Sequence, residues 1–182
     1  MGCRSQSGNS MVNSILNEQH RELIEKSVLC WVASVSEEGQ PNVSPKEVFE
    51  LYRNDRIAFA VIASPNTLKN INQQPKVGVS CLDIWTQKGV QMNGIAKIVS
   101  PTHQDFRELE QLLNKKNKGI FTFQNIISIK ITEAKMLLAP SYQFLETTEE
   151  KQIINAEQTY GRQKPTTKST KRITSKSRRN KF

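Results

Sequence analysis

Apolar and polar residues follow two periods along this chain, and the switches between them mark its elements. Over residues 14–27, Ile15, Leu16, Leu23 and Ile24 share one side with His20 between them, which predicts an amphipathic helix. The apolar run Leu29-Cys30-Trp31-Val32-Ala33-Ser34-Val35 then predicts a strand, and Glu38-Gly39 a hairpin turn. Residues 42–50 predict a second strand and Tyr52 to Asp55 a second turn. Residues 56–63 predict a third strand, so uniformly apolar that both of its faces are expected to be buried. Short strands joined by tight turns point to an antiparallel barrel or sandwich.

The pattern changes at Ala63-Ser64-Pro65-Asn66-Thr67. Ser64 suits a helix cap, Pro65 suits the first turn, and Leu68 with Ile71 gives a one-sided apolar face that Pro75 ends. Residues 76–83 and 89–100 predict two more strands around the connection Trp85-Thr86-Gln87-Lys88-Gly89. Thr102 and Asp105 have the spacing of a capping box. Phe106, Leu109, Leu112 and Leu113 line the helix behind it, and Lys115, Lys116 and Lys118 before Gly119 suit its end. Ile127, Ile129 and Ile131 alternate with Ser128 and Lys130 as in a half-buried strand, and a last helix is expected over residues 148–158.

Charge changes this picture only at the end of the chain. Nine of the 26 Lys and Arg residues fall in residues 161–182 with no acid, and residues 1–160 hold 17 of each sign. The pI near 9.6 therefore describes a tail and gives no reason to expect nucleic-acid binding by the folded part. The expected organisation is a disordered polar leader over 1–12, a folded domain over 13–145, a C-terminal helix over 146–160 and a disordered basic tail over 161–182. Met1-Gly2-Cys3 invites acylation of Gly2 and Cys3. Gln6, however, stands where the motif wants Ser or Thr, and an extended start ahead of a domain beginning near Met11 is the preferred reading.

No stretch reaches membrane-spanning length, and no apolar run follows the N-terminus. Cys3, Cys30 and Cys81 have no close spacing. They fit neither a disulfide framework nor a zinc site, and with them a cytoplasmic location is expected. His20 and His103 read as solvated helix-face residues, with no metal centre expected.

Two places break structural rules. In Asn42-Val43-Ser44-Pro45-Lys46, a proline inside a strand either guards an edge or opens a bulge that frees the Ser44 and Lys46 backbone for a ligand. At the helix start, unpaired N–H groups and a partial positive charge make a phosphate site, to which Ser64, Asn66 and Thr67 add donors. Lys46, Lys69 or Lys88 would supply charge there; the alternative is an ordinary cap. No glycine-rich nucleotide loop or nucleophile–histidine pair is present. Cys30 and Cys81 read as buried inert thiols and Trp31 as core. Trp85 reads as a loop residue suited to stacking on a ring or covering a dimer contact.

Taken together, these segments resemble the small FMN-binding members of the pyridoxamine 5′-phosphate oxidase-like family. The match covers roughly residues 12–145 and runs through Trp31-Val32-Ala33-Ser34-Val35-Ser36-Glu37-Glu38-Gly39-Gln40-Pro41-Asn42-Val43-Ser44-Pro45-Lys46, Ala58-Phe59-Ala60-Val61-Ile62-Ala63-Ser64-Pro65-Asn66-Thr67-Leu68-Lys69-Asn70-Ile71, Gln87-Lys88-Gly89-Val90-Gln91-Met92-Asn93-Gly94-Ile95-Ala96 and Leu138-Ala139-Pro140-Ser141-Tyr142. The resemblance implies a mainly β, α+β architecture: a six-stranded antiparallel split β-barrel with flanking helices, working as a homodimer with FMN at the subunit interface. Asn42, Val43, Ser44, Pro45 and Lys46 would lie along the isoalloxazine ring and ribityl chain. Ser64, Asn66 and Thr67, with Asn70 behind, would face the phosphate that Lys46 neutralises. Gln87, Lys88 and Gly89 would approach from the other subunit.

The function so implied is that of an FMN-dependent oxidoreductase in which the flavin carries the redox chemistry, with NAD(P)H or another electron donor. The family's vitamin B6 oxidase ends in a further Trp- and Arg-containing segment that this chain lacks, so that substrate is not expected. Relatives with this barrel also use a deazaflavin or bind haem. The alternative function is therefore a non-catalytic FMN- or haem-binding module, with the basic tail binding polyanions weakly.

Overall fold

The computed structural model describes residues 14–161. Residues 1–13 and 162–182, and with them the acylation and polyanion expectations, lie outside the described residues. The elements in chain order are α1 Glu18–Lys26, β1 Cys30–Val35, β2 Pro41–Lys46, β3 Phe49–Tyr52, β4 Arg56–Val61, α2 Pro65–Gln73, β5 Lys76–Asp83, β6 Lys88–Val99, α3 Phe106–Asn117, β7 Asn125–Leu138, α4 Pro140–Phe144 and α5 Glu149–Tyr160. None of these helices is long and apolar enough to cross a membrane.

The strands form one antiparallel sheet in the order β2-β1-β5-β6-β7-β4-β3. The architecture is the expected mainly β, curled antiparallel sheet with flanking helices, but it has seven strands instead of six. The extra strand comes from the segment 42–50, expected as one strand. The chain leaves the sheet at Glu47 and Val48, so β2 pairs with β1 at one edge and β3 with β4 at the other.

Side-chain alternation assigns the two faces. Inside the curl, Cys30, Val32, Phe49, Ile57, Phe59, Val79, Met92 and Ile129 pack with Leu23 and Ile24 of α1 and Ile71 of α2. Outside, Ala58, Ala60 and Ile126 pack under Phe106, Leu109 and Leu113 of α3. Strand β4 is thus buried on both faces, as its unbroken apolar run requires. The strand through Ile127 runs longer than its alternation suggested, and its Ser128 is buried, hydrogen-bonded to the Tyr52 hydroxyl.

Four local expectations change. Trp31 is only half-buried, on the outer side of β1, while its neighbours Cys30 and Val32 fill the core. His20 is buried, because its ring accepts from the Asn17 N–H while Asn17 Oδ1 accepts from the His20 N–H, a reciprocal cap at the start of α1. The Thr102–Asp105 capping box does not form. Thr102 bonds Ser100 instead, and Asp105 occupies the cap without a side-chain bond. His103 lies ahead of α3, between Lys97 and the Asp105 N–H.

Strands β6 and β7 slip by one residue at Asn93/Gly94, leaving Thr132 as the extra residue, its hydroxyl donating to the Asn93 carbonyl at 3.2 Å. A Cβ on Gly94 would stand 2.6 Å from the Lys130 carbonyl oxygen and 2.5 Å from Ile129 Cγ2. We expect Gly94→Ala to lower the unfolding free energy by about 1–3 kcal/mol. In urea titrations this would appear as an earlier midpoint with unchanged slope.

Candidate anion-binding site

Polar residues occupy the inward positions of β2, where the other strands place apolar ones. Asn42, Ser44 and Lys46 point inward, opposite Ser34, Val32 and Cys30 of β1. The first turns of α2 close over them. Asn42 Nδ2 donates to Ser34 Oγ at 3.2 Å and to Thr67 Oγ1 at 3.1 Å, and Asn70 Nδ2 donates to the same Ser34 oxygen at 3.2 Å. Ser44 Oγ and Ser64 Oγ lie 3.0 Å apart, and Lys46 Nζ donates to both, at 2.7 Å and 2.5 Å respectively.

The ladder between β1 and β2 runs without a register shift from Cys30↔Lys46 to Val35↔Pro41. Pro45 therefore guards an edge strand and opens no bulge, and the site is built from side chains instead of freed backbone. Ser64 precedes α2 but makes no side-chain cap; its hydroxyl is turned to Lys46. Pro65 carries no N–H, and the first helical bond runs from the Leu68 N–H to the Ser64 carbonyl. The Asn66 and Thr67 N–H groups thus belong to the uncapped positive end of the helix.

Lys46 is the electrostatic centre of this cluster. Its side chain is only 5% exposed and has no acidic partner among the described residues. Burial pushes its ammonium below the ordinary lysine value of 10.5. A cavity of about 240 Å³ opens beside it, lined by Ser44, Lys46, Ala60, Ser64 and Phe121 and by Glu47, whose carboxylate is solvent-exposed and forms no ion pair with Lys46. A buried, hydroxyl-lined ammonium without a counter-charge can take an anion, and a phosphate-sized group fits this volume.

Six of the residues singled out from the sequence are therefore gathered in one place: Asn42, Ser44, Lys46, Ser64, Thr67 and Asn70. Val43 and Pro45 point to the exposed outer face, and Asn66 is exposed on α2. Gln87, Lys88 and Gly89 lie elsewhere, Gln87 ending the turn after β5 and Lys88 and Gly89 opening β6. Lys88 is already neutralised there by Glu149 at 2.6 Å, which holds its pKa above the ordinary value, and it lies 4.9 Å from the Tyr142 ring centroid. Gln87 has φ +53° and borders an apolar cavity of about 580 Å³ with Leu82, Ile84, Leu137 and Tyr160. Gly89 is required by contact, since a Cβ would meet the Cys81 carbonyl oxygen at 2.2 Å. Ser34, which joins Asn42 to Asn70, was missed as a site residue. Its one signal is that it continues the inward parity of Cys30 and Val32 as a polar residue.

A curled antiparallel sheet of seven strands with flanking helices defines a split-barrel-like α+β fold. The chain belongs to the pyridoxamine 5′-phosphate oxidase family, whose profile, described as "Pyridoxamine 5'-phosphate oxidase", matches residues 16–140. Solved structures similar to it include HupZ of Group A Streptococcus, with a TM-score of 0.58 and 21% identity over 68% of this chain and 95% of that one. An FMN-binding protein from Syntrophomonas wolfei gives 0.58 and 17% over 67% and 86%. HutZ, the haem storage protein from Vibrio cholerae, gives 0.56 and 12% over 68% and 94%. At these identities the likeness is one of fold. Compared by sequence with curated proteins, the chain has no match.

Because Lys46 is buried without a counter-ion, Lys46→Met is expected to raise stability at pH 7 in anion-free buffer by about 1 kcal/mol or more. Between the lowered folded pKa and 10.5 the unfolded chain binds more protons at Lys46, so this group makes the native state more stable as pH rises. The advantage of the variant should therefore shrink as pH approaches 10.5, as read by urea unfolding across a pH series.

Proposed function

We propose that this protein is an FMN-binding oxidoreductase that works as a homodimer, with the FMN phosphate held by Lys46, Ser44, Ser64 and the first turn of α2. The observation that carries this reading is the Lys46 ammonium, buried, unpaired and hydrogen-bonded only to two hydroxyls. A phosphate there would receive charge-assisted hydrogen bonds in a site already assembled. FMN, when bound, supplies the electron-transfer chemistry, with NAD(P)H or another reductant as donor. The chain's own residues bind and orient it: Lys46 with the hydroxyls at the phosphate, Asn42 and Asn70 held in place by Ser34.

The 240 Å³ cavity takes a phosphate but not a whole flavin, so the rest of the cofactor would extend across the surface. Val35, Val43 and Ile95 are 40%, 61% and 42% exposed on the outer face of the sheet, which supports covering by a second copy. Gln87, Lys88 and Gly89, distant from Lys46 within one chain, would then reach the cofactor from the partner subunit.

A haem-binding module is the second reading, motivated by the likeness to HutZ. The histidines favour flavin over haem. The sequence has only two, and His20 is committed to the cap of α1 while His103 lies among Lys97 and Asp105.

Titration with FMN and separately with haemin, followed by visible absorption, tests the assignment. Lys46→Ala should weaken FMN binding at least about tenfold, or about 1.4 kcal/mol, while Lys151→Ala on exposed α5 leaves it unchanged. Equal affinities for the two variants would overturn the phosphate assignment. Turnover of NADH or NADPH by the FMN-loaded protein separates an oxidoreductase from a carrier.

A further inference from the structure

Strand register brings together two cysteines that the sequence keeps apart. Cys30 of β1 and Cys81 of β5 are Cα partners across an antiparallel pair, and both side chains enter the barrel interior, fully buried. Both are free thiols. Partners in an antiparallel ladder have Cα atoms about 4.5–5.5 Å apart, inside the roughly 4.4–6.8 Å window of disulfides. Neither strand has to move to another register for the two sulfurs to bond.

Positive charge lies on both sides of the pair, whose mutual contact and burial push the Cys30 thiol above the ordinary range. The buried ammonium of Lys46 is the register partner of Cys30 on its other side, and Lys116 adds positive charge towards Cys81.

We propose that Cys30 and Cys81 form a reversible dithiol–disulfide pair inside the barrel, oxidised by a peroxide. One of the two sulfurs, as thiolate, attacks one peroxide oxygen, the O–O bond breaks, and hydroxide leaves and is protonated to water. The resulting sulfenic acid is attacked by the sulfur of the other cysteine. The S–O bond breaks, and the second hydroxide leaves as water with the proton of that second thiol. Two thiols and one hydrogen peroxide give one disulfide and two waters, and an external dithiol reverses the change. Peroxide is close to water in size, so local opening at the barrel wall gives it access. The bridge would staple β1 to β5 beside the anion site and close a loop containing β2, β3, β4 and α2.

The test uses the full chain carrying Cys3→Ser, treated with hydrogen peroxide and then alkylated in denaturant. The expected product has lost about 2 Da and takes up no alkyl group. It yields a linked peptide joining Cys30 to Cys81, melts at a higher temperature, and returns to two alkylatable thiols with dithiothreitol. Two thiols still alkylated after oxidation, oxygen retained on one cysteine without a link, or a link only between separate chains would each overturn the proposal. The readout does not involve FMN, so it stands or falls apart from the cofactor assignment.

Discussion

Two residues, Glu47 and Val48, join the opposite edges of a seven-stranded sheet. Three peptide links from Lys46 to Phe49 span at most about 11 Å, whereas seven flat strands would separate their edges by about 29 Å. The sheet has to curl until the end of β2 comes within reach of the start of β3. That closure creates the interior filled by Phe49, Ile57, Phe59 and Ile129 and leaves a seam where the two edges meet. The polar cluster lies on the seam, where Lys46 ends β2 and the start of α2 approaches it.

The same seam separates what was legible in the sequence from what was not. Wherever a strand buries one face or both, as in β1, β4 and β5, its apolar pattern identified it. In β2 the pattern is inverted: Asn42, Ser44 and Lys46 face inward, while Val43 and Pro45 face out. The break after Lys46 carries no Gly or turn pair, so 42–50 reads as one strand and the strand count falls one short. The position of the polar cluster was legible from the misplaced proline and the Ser-Pro helix start. Its chemistry was only partly so, because the contacts of Ser34, Asn42 and Asn70 depend on register and helix docking. His20 misled for a related reason: histidine is not the usual residue at the third position of a capping box.

A buried ammonium without a carboxylate is unfavourable for the free chain, and the surrounding structure holds it in place all the same. The Ser64 hydroxyl gives up capping α2 to accept from Lys46, so two stabilising interactions are weakened at one point. Such concentrated violations of local rules are characteristic of sites shaped for a ligand. The members of this family's fold that resemble the chain include an FMN-binding protein and a haem storage protein, so the barrel itself does not select the chemistry.

Strand β2 has one further property. Residues at 41, 43 and 45 share one direction along the strand, and its uninterrupted ladder with β1 requires the proline nitrogens to face away from that ladder. Of the three main-chain donors this free border would present, proline has deleted two. Another extended chain cannot zip onto it, so strand-by-strand polymerisation through this border is blocked.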